Sequence, residues 1–208
     1  MNQLRLSLIC VFFLSLVPIT ANCKSSSVKF DFDKDGVKDE IRLIEGSDLK
    51  IEYKLSTHGG HTVRSKSITE YSDYSLRMEN DNLLLLDNGM RYFYYYTFAY
   101  NPRHRDLQLI STRGERSGNV HHDGEGAYTY NLISGLYTAQ WNYYNMTIEK
   151  LIALPKIKKY FPVKYYSLQN FGDKMIDQLS QADNKTQPKC LRPNYKRRTI
   201  DMKVSSYY

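Results

Sequence analysis

Tyrosine is the residue that most narrows what this 208-residue chain can fold into, because its 19 copies fall in runs where aromatic and β-branched neighbours favour extended backbone. "DEIRLIEG" (39–46) and "LKIEYKLS" (49–56) read as two strands turned at Gly46 and Ser47. "LLLLDNGMRYFYYYTFAYNP" (83–102) reads as a hairpin, with Asp87, Asn88 and Gly89 supplying the positive φ of a tight turn. "DLQLIST" (106–112), "AYTYNLISG" (127–135) and "LYTAQWNYYN" (136–145) continue at the spacing of an antiparallel meander. One helix is expected, over 167–183, where Leu168, Phe171, Met175, Ile176 and Leu179 recur at three- and four-residue spacings, so that one face packs on the sheet. Gly172 weakens that helix without breaking it. "DNKTQPKCLRPN" then reads as a loop and "TIDMKVSS" (199–206) as a closing strand. The expected fold is mainly β, an antiparallel sheet or sandwich with one C-terminal amphipathic helix.

The first 23 residues carry one cation, Arg5, then an apolar run from Leu6 to Ile19, then small or polar residues, which is the order of an export signal. Pro18 breaks the run, and its apolar part is shorter than the ~20 residues a bilayer demands. The expected organisation is a signal peptide over 1–23 and one domain over 24–208, since the remaining length suits one core. No transmembrane segment is expected in that domain. Cleavage after Ala21 would leave Cys23 and Cys190 able to pair in an oxidising compartment. "ITANC" also has the outline of a lipoprotein signal, which would make Cys23 a lipid anchor. The expected location is therefore exported and periplasmic, soluble or lipid-anchored. The formal charge of +7 falls to about +6 once Arg5 is removed, which suits an acidic partner or an anionic envelope. Nucleic acid is not an expected partner.

"DFDKDGVKD" (31–39) sets Asp31, Asp33 and Asp35 on alternate residues, places Gly36 where a sharp turn is needed, and adds Asp39 in the ninth position. Calcium takes six to eight oxygen ligands, and a short loop delivers several when acidic side chains alternate. The carbonyl of Val37 would supply one more. The first nine positions match an EF-hand loop, but the twelfth is Arg42 and β-like sequence lies on both sides. The loop therefore resembles the DxDxDGxxD calcium loops of FG-GAP-type and dockerin-like segments. An acidic turn that binds nothing is the bland alternative, disfavoured because four carboxylates in nine residues repel one another. A lone calcium site of this kind pins a loop; it does not run a reaction.

No catalytic set emerges. "HGGH" places His58 and His61 three apart without a third ligand at a metal spacing, and no GxSxG elbow or local nucleophile signature accompanies Cys190. Glu115 and Glu125 are the acidic residues to consider for a glycosidase pair, but nothing in the sequence singles them out. The stretch 111–127 reads as a long glycine-rich loop carrying Arg113, Arg116, His121 and His122. Such a loop is either a connector or a binding element that could reach into the acidic cleft of a cell-wall glycosidase.

The leader, the single DxDxDGxxD loop, "RYFYYYTFAYNPRHRDLQLIS" and "YTYNLISG" together resemble a group of periplasmic bacterial proteins with one FG-GAP-like calcium loop. Phe98, Tyr100, Pro102, Leu109 and Ile110 match one of its segments, with Asn101 in place of an aspartate, and Asn131 to Gly135 match another. The resemblance covers roughly residues 28–136. It implies a fold similar to lysozyme inhibitors, a bound Ca²⁺, and for some members an immunity role against secreted peptidoglycan hydrolases. Two other functions compete. A carbohydrate-binding or adhesive module would use aromatic strand faces, Tyr92, Tyr94 and Tyr96 on one and Trp141 and Tyr143 on another. A hydrolase would use a histidine or carboxylate set that the sequence does not reveal.

Overall fold

The computed structural model describes residues 27–69, 73–118, 121 and 124–186. The leader, Cys23, His122, Cys190 and the expected strand at 199–206 lie outside them. The fold is mainly β, with two antiparallel sheets and one helix near the C-terminal end of the described chain. The smaller sheet runs β1 (Ser27–Phe30), β2 (Asp39–Ile44), β3 (Lys50–Lys54), β4 (Thr62–Arg64) in chain order. The larger is a meander of β5 (Tyr74–Glu79), β6 (Asn82–Asn88), β7 (Tyr92–Asn101), β8 (Asp106–Arg116), β9 (Gly126–Asn131) and β10 (Leu136–Asn145). Its last edge is shared by β11 (Lys150–Ala153) and β12 (Ile157–Tyr160), both paired with β10 and separated by a bulge at 154–156.

The period of two explains which face each strand buries. Along β10, Tyr137, Ala139, Trp141 and Tyr143 are buried while Thr138, Gln140 and Asn142 face the opposite side. Tyr96 and Phe98 on β7 and Tyr128 and Tyr130 on β9 join them, so the tyrosines that dominate the sequence are mostly core. Of the faces considered for sugar binding, Tyr96, Trp141 and Tyr143 are buried, Tyr94 is half-buried, and Tyr92 alone reaches solvent appreciably. Those faces are packing surfaces. Ile41, Leu43, Ile51 and Tyr53 of the smaller sheet belong to the same core as the larger sheet's inner face, and the buried Tyr53 hydroxyl donates to Asp106 Oδ1 at 3.0 Å.

Three local expectations differ from the structure. The Asp87–Gly89 cluster ends β6, but no residue there has positive φ; the left-handed pair is Asn80 (φ 49°) and Asp81 (φ 61°), in the turn between β5 and β6. Gly89 lies under the partly exposed Tyr92 ring, which a Cβ there, 2.2 Å from the ring, would displace. The expected helix is split: a 3-10 turn over Leu168–Asn170 ends before α1 (Asp173–Thr186) begins. The interruption is at Phe171, whose backbone is extended (φ −67°, ψ 132°), and Gly172 then lets the chain pass close to the smaller sheet's exit, since a Cβ would meet Lys66 Cβ and Ser67 O at 2.7 Å. This close approach lets Asp173 accept from the Thr69 hydroxyl at 2.7 Å and dock the helix start on the chain leaving the smaller sheet. Thirdly, residues 111–116 are the end of β8, so the loop expected over 111–127 shrinks to 117–125.

A bulge between Thr97 and Phe98, opposite Ile110, divides β8. Beyond it, 111–116 pair with β9, whereas before it Leu109 N–H reaches Tyr166 O at 2.8 Å and Gln108 bridges Ser167. This partner exchange delivers the chain to Phe171, whose ring packs edge-on against Tyr96 and Phe98 at 4.9 and 5.4 Å. Burying such a ring stabilises by about 1.5–3 kcal/mol. Each of the two segments that carry the resemblance contains a turn set by an asparagine: Asn101 Oδ1 accepts the Arg103 and His104 N–H groups, and Asn131 Oδ1 those of Ile133 and Ser134. The Asn101 amide also donates to Gln108 Oε1, a bond that an aspartate could not make.

Candidate functional site

The chain between β1 and β2 is the acidic loop. Lys34 (φ 61°) and Gly36 (φ 90°) turn it, and since a Cβ on Gly36 would meet nothing, its backbone angle is what calls for glycine. Asp31 accepts from the N–H groups of Asp35 (3.1 Å) and Gly36 (2.9 Å), one on each oxygen. Asp33 accepts from Asp35 N–H at 3.2 Å and from the Ser56 hydroxyl at 2.8 Å. Asp39, only 1% exposed, accepts from Phe32 N–H at 2.9 Å and Ser56 N–H at 2.8 Å. Each of the six carboxylate oxygens accepts at least one hydrogen bond and keeps further lone-pair capacity. One oxygen from each of Asp31, Asp33 and Asp39 lies within 4.8 Å of the others.

Burial raises the Asp39 pKa, the charge of Asp33 adds to the rise, and the hydrogen bonds from Ser56 and Phe32 only partly offset it. Burial works the same way on Asp33, but hydrogen bonds from Ser56 and the Asp35 N–H outweigh it and hold that carboxyl below its ordinary range. Among the described residues, no basic side chain forms an ion pair with Asp31, Asp33 or Asp39. An all-oxygen anionic donor set of this kind suits a hard divalent cation. Asp35 is not in the convergent group; its Oδ1 accepts Val37 N–H at 2.7 Å and shapes the turn. Val37 is exposed. Arg42 is paired with Glu52 on the neighbouring strand.

Ser56 was not apparent from the sequence as part of this site. It opens the 3-10 turn Ser56–His58 after β3 and ties that turn to the acidic loop through both Asp33 and Asp39. The same turn is held from the other side by the β7–β8 turn, with His58 Nε2 2.6 Å from Arg105 O and Arg105 Nη2 donating to Thr57 O at 2.6 Å. The acidic loop is therefore connected through three residues to the larger sheet. His61 is exposed, and neither His58 nor His61 joins a metal-binding group among the described residues.

The residues expected to meet a partner do not share one loop. Arg113 lies on β8, exposed, paired with Glu115 and with its guanidinium 5.3 Å from the centre of the Tyr95 ring. Arg116 is partly buried: its Nη2 donates to Asp183 Oδ2 of α1 at 2.8 Å, its guanidinium lies 5.5 Å from the Trp141 ring centre, and its side chain keeps 29% exposure at the edge of a surface depression. His121 is exposed and stacks on Tyr144 at 4.7 Å; His122 is outside the described residues.

Glu115 and Glu125, unremarkable in the sequence, line one depression of about 420 Å³ with Phe93, Ala127, Gln140 and Asn142. A register row places Phe93, Glu115, Ala127 and Gln140 side by side across β7, β8, β9 and β10. Comparison with protein-family models, with curated proteins and with solved structures finds no match to this chain.

Proposed function

We propose that this is an exported, non-catalytic binding protein, clamped by calcium, which neutralises a cell-wall hydrolase in the manner of an immunity protein. The observation that carries the clamp is the convergence of Asp31, Asp33 and Asp39 on one point, each held by chain donors. Calcium would be held by these three carboxylates, and it supplies charge compensation that fixes the β1–β2 loop against Ser56. The resemblance to periplasmic calcium-loop proteins supports the immunity role, and the net positive charge supports a partner with an acidic cleft. Arg113, which is cationic, and His121 are the exposed candidates for that contact, whereas Arg116 is paired with Asp183. The working place is the periplasm, with the chain free or anchored through Cys23.

The test is genetic. The product of the gene adjacent to this one is exported to the periplasm of a host, with and without co-export of this protein. Lysis that the protein prevents, and that Arg113→Glu restores, supports the reading. Lysis unaffected by the protein, or an adjacent product without toxicity, removes it.

A further inference from the structure

The face of the eight-stranded sheet opposite the core carries a groove, and we infer that it binds an uncharged oligosaccharide. Two depressions lie next to each other on this face and share Ala127 and Gln140. The larger, of about 420 Å³, reaches from Phe93 to Asn142, within the size range of small-ligand sites. The smaller, of about 110 Å³, continues over Thr129 and Thr138 to Lys156. Ala127 is the common floor, because the side chains beside it in register, Glu115 and Gln140, are much longer.

The lining selects the class of ligand by elimination. Glu115 and Glu125 at one end disfavour a phosphate or other polyanion, while Arg116 at that same end, itself paired with Asp183, Arg113 paired with Glu115, and Lys156 at the far end disfavour a bare cation. What remains is a mixture of acceptor-only carboxylates, a donor-only ammonium, hydroxyls of Thr129 and Thr138 and amides of Gln140 and Asn142. Hydroxyl groups, which both donate and accept, are the ligand groups that satisfy such a mixed set. Phe93, 36% exposed, offers the apolar surface on which the C–H face of a sugar ring packs. Two of the polar side chains have partners within the protein: Glu115 pairs with Arg113, and Gln140 donates its amide to Leu154 O. This face is distinct from the buried tyrosine and tryptophan faces and does not depend on the inhibitory role.

The experiment presents the calcium-loaded protein to an array of neutral oligosaccharides, including N-acetylglucosamine and glucose oligomers, and follows the best binder by calorimetry. Inorganic phosphate and an arginine-rich peptide serve as charged comparators. The expected result is binding of a neutral oligosaccharide that weakens at least tenfold in Phe93→Ala and in Ala127→Leu, a solvent-facing change that fills the groove floor, with both variants melting like the wild type. No binding on the array, binding unaffected by both variants, or tighter binding of either charged comparator overturns the inference. Rescue from the hydrolase that persists in both variants would separate the groove from the inhibitory surface.

Discussion

Asp39 and Glu52 occupy neighbouring strands of the smaller sheet, 1% and 3% exposed, and the fold treats their charges in opposite ways. Glu52 sits in register between Arg42 and Arg64, accepting from both at 2.8 Å, and the hydrogen bonds from Arg64 and Arg42 lower its pKa. A lowered carboxylate stabilises the fold above its unfolded value of 4.5 and loses that contribution as the pH falls through the lower folded value. Glu52→Gln should therefore melt below the wild type near neutral pH, with the gap narrowing below about pH 4; a gap independent of pH would refute the ionic account. Among the described residues Asp39 has no such cation, and burial raises its pKa; calcium would compensate that charge. For a site with a dissociation constant of about 10⁻⁴ M, 10 mM calcium stabilises by about 2.7 kcal/mol. That corresponds to a melting temperature higher by about 5–10 °C in a domain of this length. Thermal melts with calcium and with chelator should show the difference in the wild type and lose it in Asp31→Asn with Asp33→Asn; identical wild-type melts would sink the clamp.

Helix α1 is attached at both ends by chemistry that its own amphipathic pattern does not contain. At the start, Gly172 permits contact with Lys66 and Ser67, and Asp173 accepts from Thr69. Near the other end, the buried Asp183 receives Arg116 Nη2 at 2.8 Å and the Tyr137 hydroxyl at 2.6 Å. Removing Asp183 takes away two hydrogen bonds from a part-buried site while Arg116 keeps some contact with solvent, at a cost of about 1–3 kcal/mol. Asp183→Ala should lower the urea midpoint accordingly, whereas Arg113→Ala, which breaks an exposed pair, should change it by less than about 1 kcal/mol. Equal effects would show that Arg116 is no anchor.

Across the whole molecule, the two sheets share one core, and the acidic loop reaches the larger sheet through Ser56, Thr57 and Arg105. Unfolding should follow as a single calorimetric transition, and chelation should shift all of it to lower temperature. A separate early transition confined to the smaller sheet would mean that the loop clamps only its own neighbours. Meander pairing places each of β5 to β10 beside its sequence neighbour, and among the described strands only β12 skips one strand to pair with β10.

The strands of the tyrosine-rich middle were legible because alternation is a property of adjacent residues, and Tyr137, Ala139, Trp141 and Tyr143 carry it within one segment. The acidic loop was legible for the same reason, its donors lying within nine residues. The strands β1, β4, β5, β11 and β12 were not, being short or flanked by mixed sequence whose partners determine their pairing. Nor could the sequence show that Asp39 meets Ser56, 17 residues away, or that Arg116 is consumed by Asp183, 67 residues away. It could not show that Glu115 and Glu125 border one groove. Local period and local charge density act within a single element and are written into it. Which charge is neutralised, which ring is buried and which face stays open depend on distant segments arriving at the same place, and only the packed chain decides that.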